Sequence, residues 1–212
     1  ALGLVVALAI GLPAGVLAAM KRGRAADYVA TGFVMLGLSI PSFWLAVLLI
    51  LLFALRLGWL PPTAYISPAE SLAANLVHMI LPALSVGLVL AAAITRIVRS
   101  SLLEVLSLDY IRTARAKGLA EQRVVIGHAL RNALIPTVTV VGLTFGSLLA
   151  GAVLTETIFS WPGIGRYAVD AATKLDLPAI LGVTLLIAVV YVIVNLITDI
   201  LYGILDPRIR VG

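Results

Sequence analysis

Five long apolar stretches, separated by short polar segments, organise this chain. They cover residues 1–20, 28–55, 76–95, 133–154 and 177–198, and none of them contains a charged residue. A helix rises 1.5 Å per residue, so each stretch reaches the roughly 20 residues that a bilayer core about 30 Å thick requires. Five such stretches leave too little polar sequence to cover them in water, so lipid must be the solvent. The pattern predicts an all-α polytopic transmembrane helix bundle with five spans. Small residues recur at helical spacing inside it. Gly11 and Gly15 are four apart, as are Gly142, Gly146 and Ala150. Such faces either pack helices closely in lipid or line a path between them. Pro41 and Pro82 fall inside the second and third stretches, where each removes a backbone donor and can kink its helix.

Composition agrees with the pattern. The 212 residues are 62% hydrophobic and 12% charged, with a mean hydropathy of +1.14. Soluble domains are about half apolar and about a quarter charged. There is no cysteine, hence no disulfide framework or thiolate metal site, and His78 and His128, far apart in sequence, are a thin basis for a metal centre. The net charge of +5 does not indicate nucleic acid, because the basic residues are dispersed between apolar blocks. Twelve of the fifteen Lys and Arg residues fall in 21–27, in 96–131 and in the tail 206–212. Basic loops mark the cytoplasmic side, which puts residue 1 outside and residue 212 inside after five crossings. The chain begins within an apolar run, without an initiator Met or a basic leader, so an upstream extension is expected.

The two base-poor loops have a different character. Residues 56–75 are rich in Pro and aromatics, as expected at a membrane interface. Residues 155–176 contain the Pro162–Gly163 turn and a short amphipathic helix predicted from Gly165 to Lys174. This second loop either folds into the mouth of a cavity or lies flat at the interface.

The chemistry-bearing candidate is "DYIRTARAKGLAEQRVVIGHALRNALIP" at 109–136. It sets five basic residues, Arg112, Arg115, Lys117, Arg123 and Arg131, against Asp109 and Glu121. Residues 102–106 and 110–117 read as helix, Gly118 supplies a turn that a side chain would hinder, and a second helical piece runs over 121–131. A short surface helix, small on one side and basic on the other, fits a groove on a soluble partner; the alternative is a helix held by anionic lipid. No GxxxxGK[ST] sequence occurs, since the three lysines are followed by Arg22, Gly118 and Leu175. The chain therefore carries no P-loop. It also shows no HExxH, no GxSxG and no mid-span carboxylate pair. Glu156 and Asp199 sit at span ends, which argues against ion coupling.

The central stretch resembles the cytoplasmic loop of the permeases of ABC importers, in particular the dipeptide/oligopeptide/nickel class. "GLSIPSFWLAVLLI" at 37–50, "GAVLTETIFSWPGIGR" at 151–166 and "NLITDILYGILDPRIR" at 195–210 are similar to patterns of the same family, in the same order. The resemblance implies a type I importer permease fold over 1–205, with a cytoplasmic coupling loop at 96–132 and a tail at 206–212. It implies that Thr113, Ala114, Arg115, Ala116, Lys117 and Gly118 form the coupling helix that docks on an ATPase. Two departures narrow the subfamily. Arg112-Thr113-Ala114 stands where the wider superfamily has Glu-Ala-Ala, and Arg131 stands where it has a proline. Members usually have six spans, so one N-terminal span and an external region are expected beyond the five seen.

The resemblance further implies a non-catalytic subunit without a cofactor of its own. It would sit in a prokaryotic inner membrane and work by alternating access. Its partners would be a second homologous permease, two ATPase subunits that bind ATP and Mg, and an external substrate-binding protein. Glu156, Trp161, Pro162, Gly163, Gly165 and Arg166 are the expected external loop or gate. Dipeptides, oligopeptides, glutathione-like molecules and nickel complexes remain open as cargo. The alternative from another class is a stand-alone secondary transporter or channel.

Overall fold

The structure is a computed structural model that describes residues 2–151 and 153–205, with the side chains of seven residues at 147, 149–151, 202 and 204–205 outside the description. The tail at 206–212 and the side chain of Ala150 therefore lie outside the described residues. Helices α1 (Leu2–Met20) and α4 (Leu72–Val105) run side by side and form the most extensive helix pair. Their closeness comes from missing side chains. A Cβ on Gly11 would stand 2.9 Å from the Ala91 carbonyl oxygen, and one on Gly15 would stand 2.7 Å from Val98 Cβ. From the other side, a Cβ on Gly87 would meet the Gly3 carbonyl at 2.8 Å. Gly87, Ala91 and Thr95 thus form the matching small face on α4. Thr95 is fully buried, and its hydroxyl donates to Ala91 O at 2.7 Å.

α4 is one helix of 34 residues, about 51 Å long at the α-helical rise. It exceeds a bilayer core by about 20 Å. The apolar stretch 76–95 is therefore only its middle. The helix continues through Arg96 and Arg99 because the backbone ladder does not depend on side-chain polarity. Ser71 caps its start by accepting from the Ala74 N–H at 3.3 Å, and Pro82 lies inside without ending it.

The second stretch differs from the expected single span. α2 (Ala25–Ser39) and α3 (Ser42–Leu49), which runs on as a π-helical turn over Ile50–Arg56, meet at 103°. Pro41 disfavours the helical region for the residue before it. Ile40 is accordingly extended (φ −94°, ψ 121°), as is Pro41 itself (φ −62°, ψ 139°). Two successive extended residues turn a kink into a corner.

The remaining elements are α5 (Asp109–Ala116), α6 (Glu121–Arg123), a π-helical turn at Val124–Ala129, α7 (Leu130–Ala133), α8 (Ile135–Gly151), α9 (Val153–Ile158), α10 (Ile164–Thr173) and α11 (Leu177–Leu205). The predicted amphipathic helix at 165–174 is α10, displaced by one residue. α8 packs on α11, where Gly142 faces Thr198 and Gly146 faces the Tyr191 ring. Among the described residues three helices, α1, α4 and α11, are long and apolar enough to cross a membrane. The count rises to five if each of two bent pairs, α2 with α3 and 121–133 with 135–146 (48°), makes one crossing. α11 leaves Leu181, Leu185 and Val192 about two-thirds exposed, a surface suited to lipid or another membrane subunit.

Gly15→Ile forces a branched side chain into the α1–α4 seam. The expected loss is about 1–3 kcal/mol of stability, read as a lowered thermal midpoint in detergent, whereas the same change at Gly32, where nothing lies within 4 Å, leaves the midpoint nearly unchanged.

Candidate functional site

One end of the bundle carries a compact polar module built from α5 to α7. Its foundation is apolar. Ile111 of α5 is fully buried among Leu102, Val124, Val125, Ala129 and Ala133, with Ala19 of α1 closing the cluster. α5 is held at both ends. Arg112 reaches Asp109 at 3.2 Å in the first turn. At the other end Gly118 adopts φ +78°, its N–H bonds Arg115 O at 2.9 Å, and the Leu119 N–H bonds Ala114 O at 3.4 Å. These two bonds form a Schellman cap, and glycine is the residue that reaches its left-handed position without strain.

Polar links then fix α5 to α6 and α7. Arg115 grips Glu121 with both prongs of its guanidinium, Nε to Oε2 at 3.0 Å and Nη2 to Oε1 at 2.7 Å. This forked geometry holds the Glu121 carboxyl below its ordinary range and the Arg115 guanidinium above its own. Asn132 donates to the Tyr110 hydroxyl at 2.9 Å and ties α5 to α7.

The six residues expected to form the coupling helix therefore divide. Ala114 is half-buried against the apolar cluster. Arg115 is engaged with Glu121. Thr113, Ala116, Lys117 and Gly118 are exposed, and nothing lies within 4 Å of a Cβ placed on Gly118. This leaves an open strip of small and basic groups on a firmly seated helix. Sequence reasoning missed Ile111, Glu121 and the Tyr110–Asn132 link. The signal available for Ile111 was its lone aliphatic position in a polar helix.

At the opposite end of α4 the other expected residues form a second small assembly. Trp161 stands edge-on to Tyr65, ring centres 4.9 Å apart. The Glu156 carboxylate accepts from the Arg166 N–H at 2.8 Å and lies directly over Gly163, where a Cβ would collide with it. Arg166 is the third residue of α10, so a carboxylate from α9 satisfies one of that helix's free N–H groups. Pro162 and Gly163 make the turn between them, and Gly165 is buried. Gly142 lines an apolar groove of about 480 Å³ between α1, α8 and α11.

The chain belongs to the family described as binding-protein-dependent transport system inner membrane component, whose model matches residues 11–211. It is the permease component of such a system, a membrane transport subunit. Among its relatives is the dipeptide transport system permease protein DppB of Escherichia coli (strain K12). That protein is 46% identical over 98% of this chain and 68% of its own length. The di/tripeptide transport system permease protein DppB of Pseudomonas aeruginosa (strain UCBPP-PA14) is 47% identical over 94% of this chain and 66% of its own. The oligopeptide transport system permease protein AppB of Bacillus subtilis (strain 168) is 44% identical over 97% and 66%. The fold is that of a chain of the inward-facing MetNI methionine ABC transporter, with a TM-score of 0.71 at 21% identity, covering 96% of this chain and 89% of that one. The type I permease fold expected from the sequence is thus the fold present, and the stand-alone transporter or channel is set aside.

Gly118→Ala places a Cβ in open space, so its cost is confined to the left-handed backbone, about 1–2 kcal/mol. The expected result is a modestly lower thermal midpoint with the chain still inserted and folded.

Proposed function

We propose that this chain imports small peptides as one of two permease subunits above a pair of ATPases, and that the strip Thr113–Ala116–Lys117–Gly118 is its contact with them. The exposed strip on a rigid pedestal carries this reading. A docking helix must transmit force without yielding, and the buried Ile111, the Schellman cap and the Arg115–Glu121 fork supply that stiffness. ATP and Mg belong to the ATPases, because this chain contains no P-loop sequence. Peptide cargo is supported by relatives named for dipeptide, di/tripeptide and oligopeptide transport.

The membrane topology is read from the basic residues. The loops at 21–27 and 96–132 and the tail at 206–212 face the cytoplasm, and residues 56–71 and 155–176 face outward. The domain at 1–205 works by alternating access, in which ATP binding favours one arrangement of the two permeases and nucleotide release the other. On the outer side, the Glu156–Gly163–Arg166 turn with Trp161 and Tyr65 forms the surface met by the substrate-binding protein.

Ala116→Trp tests the docking strip without a backbone penalty, and Gly118→Trp adds one. Both should leave the chain in the membrane and abolish ATP-dependent dipeptide uptake in whole cells; normal uptake by Ala116→Trp removes the assignment. For the outer face, a photo-cross-linker in place of Trp161 should capture the binding protein in a working complex, and the same group in place of Leu108 should not.

A further inference from the structure

Beyond the docking strip, one polar joint ties the α5 end of the bundle to the cornered pair α2–α3. Asp27, in the first turn of α2, is almost fully buried. Its carboxylate accepts from Arg99 of α4 twice, at 2.6 Å from Nε and 3.0 Å from Nη2. It also accepts from the Gly23 N–H at 2.9 Å. Gly23 has φ +74°, so this carboxylate also braces the tight turn that joins α1 to α2. A single side chain therefore holds three elements together.

The place of Arg99 on α4 is what gives the joint its use. The fully buried Val98 beside it belongs to the cluster with Ala7, Ala91 and Ile94. One turn further on, Leu102 belongs to the cluster that seats Ile111 of α5. Any displacement of α5 thus passes into α4 through Leu102 and arrives at Arg99. Elsewhere α2 meets α4 through undirected apolar contacts, such as Gly37 against Ala92 and Phe33 against the cluster of Ala91, Ile94 and Val98. A forked carboxylate–guanidinium pair has, by contrast, a fixed geometry.

We propose that the Asp27–Arg99 pair is the positioning joint that makes α2 move with α4 when the coupling helix moves, so that the corner at Ile40–Pro41 opens or closes with nucleotide state. The inference rests on the reading of α5 as the ATPase contact.

The test uses the complete importer in proteoliposomes, with peptide uptake and ATP hydrolysis measured together. Asp27→Asn removes the charge; Arg99→Lys keeps the charge and removes the fork. At equal amounts of assembled complex, the wild type couples hydrolysis to uptake. Both variants continue to hydrolyse ATP while uptake per ATP falls by roughly two- to thirtyfold, the range of coupling changes seen for residues between two sites, with the smaller loss in Arg99→Lys. A merely structural pair would lower the yield and the thermal midpoint but leave uptake per ATP unchanged, and that result overturns the proposal. If Asp27→Asn does not accumulate, Arg99→Lys alone decides by the same ratio. A wild-type complex without any ATP-driven peptide uptake overturns the functional reading along with the joint. A coupled wild type with coupled variants overturns the joint only.

Discussion

Close approach between α1 and α4 sets the frame for every other element. Two helices in lipid gain nothing from hiding apolar surface from each other, because their surroundings are equally apolar, so their contact must come from dispersion at short range. Gly3, Gly11 and Gly15 on one side, and Gly87, Ala91 and Thr95 on the other, remove the atoms that would keep the backbones apart. With that seam closed, α4 becomes the common support of the bundle. α2, α3 and α8 all lean on it, and its far end carries the apolar cluster that seats α5. Each of these attachments would shift if the seam widened.

The α5 end is built on different physics. On this exposed module water competes for every polar contact, and an exposed ion pair adds little stability by itself. The module is therefore held mainly by burial of Ile111, Val124, Val125 and Ala129. Its ion pairs serve geometry more than stability, since Arg115 and Glu121 set the angle between α5 and α6. The same division of labour appears at Asp27 and Arg99, where the carboxylate is buried and the guanidinium is partly open. The bundle thus combines a glycine seam within the membrane with forked ion pairs at its edge.

Much of this was legible from residue order. Hydropathy located the apolar stretches because lipid imposes a length on them, and the glycine at 118 announced the end of α5. The motif resemblance along the chain agreed with the family to which it belongs. Geometry was less accessible. Pro41 reads equally as a kink or a corner, and only the paired extended conformation of Ile40 and Pro41 decides for the corner. Arg96 and Arg99 ended the third stretch by composition, yet the helix passes through both. The partners Asp27 and Arg99 stand 72 residues apart, and no local pattern links them. Glu156 was legible as a residue at a span end and part of the expected external loop, but not as the cap of α10.

The length of α4 has a mechanical consequence. Its seam with α1 is centred near Ala91, leaving about 28 Å of helix toward Leu72 and about 21 Å toward Val105. A rigid rod pivoting at that point has unequal moment arms. A sideways push of about 3 Å at the short arm becomes about 4 Å at the long one, in the opposite direction. The helix would then work as a reversing amplifier, turning inward travel at one membrane face into slightly larger outward travel at the other.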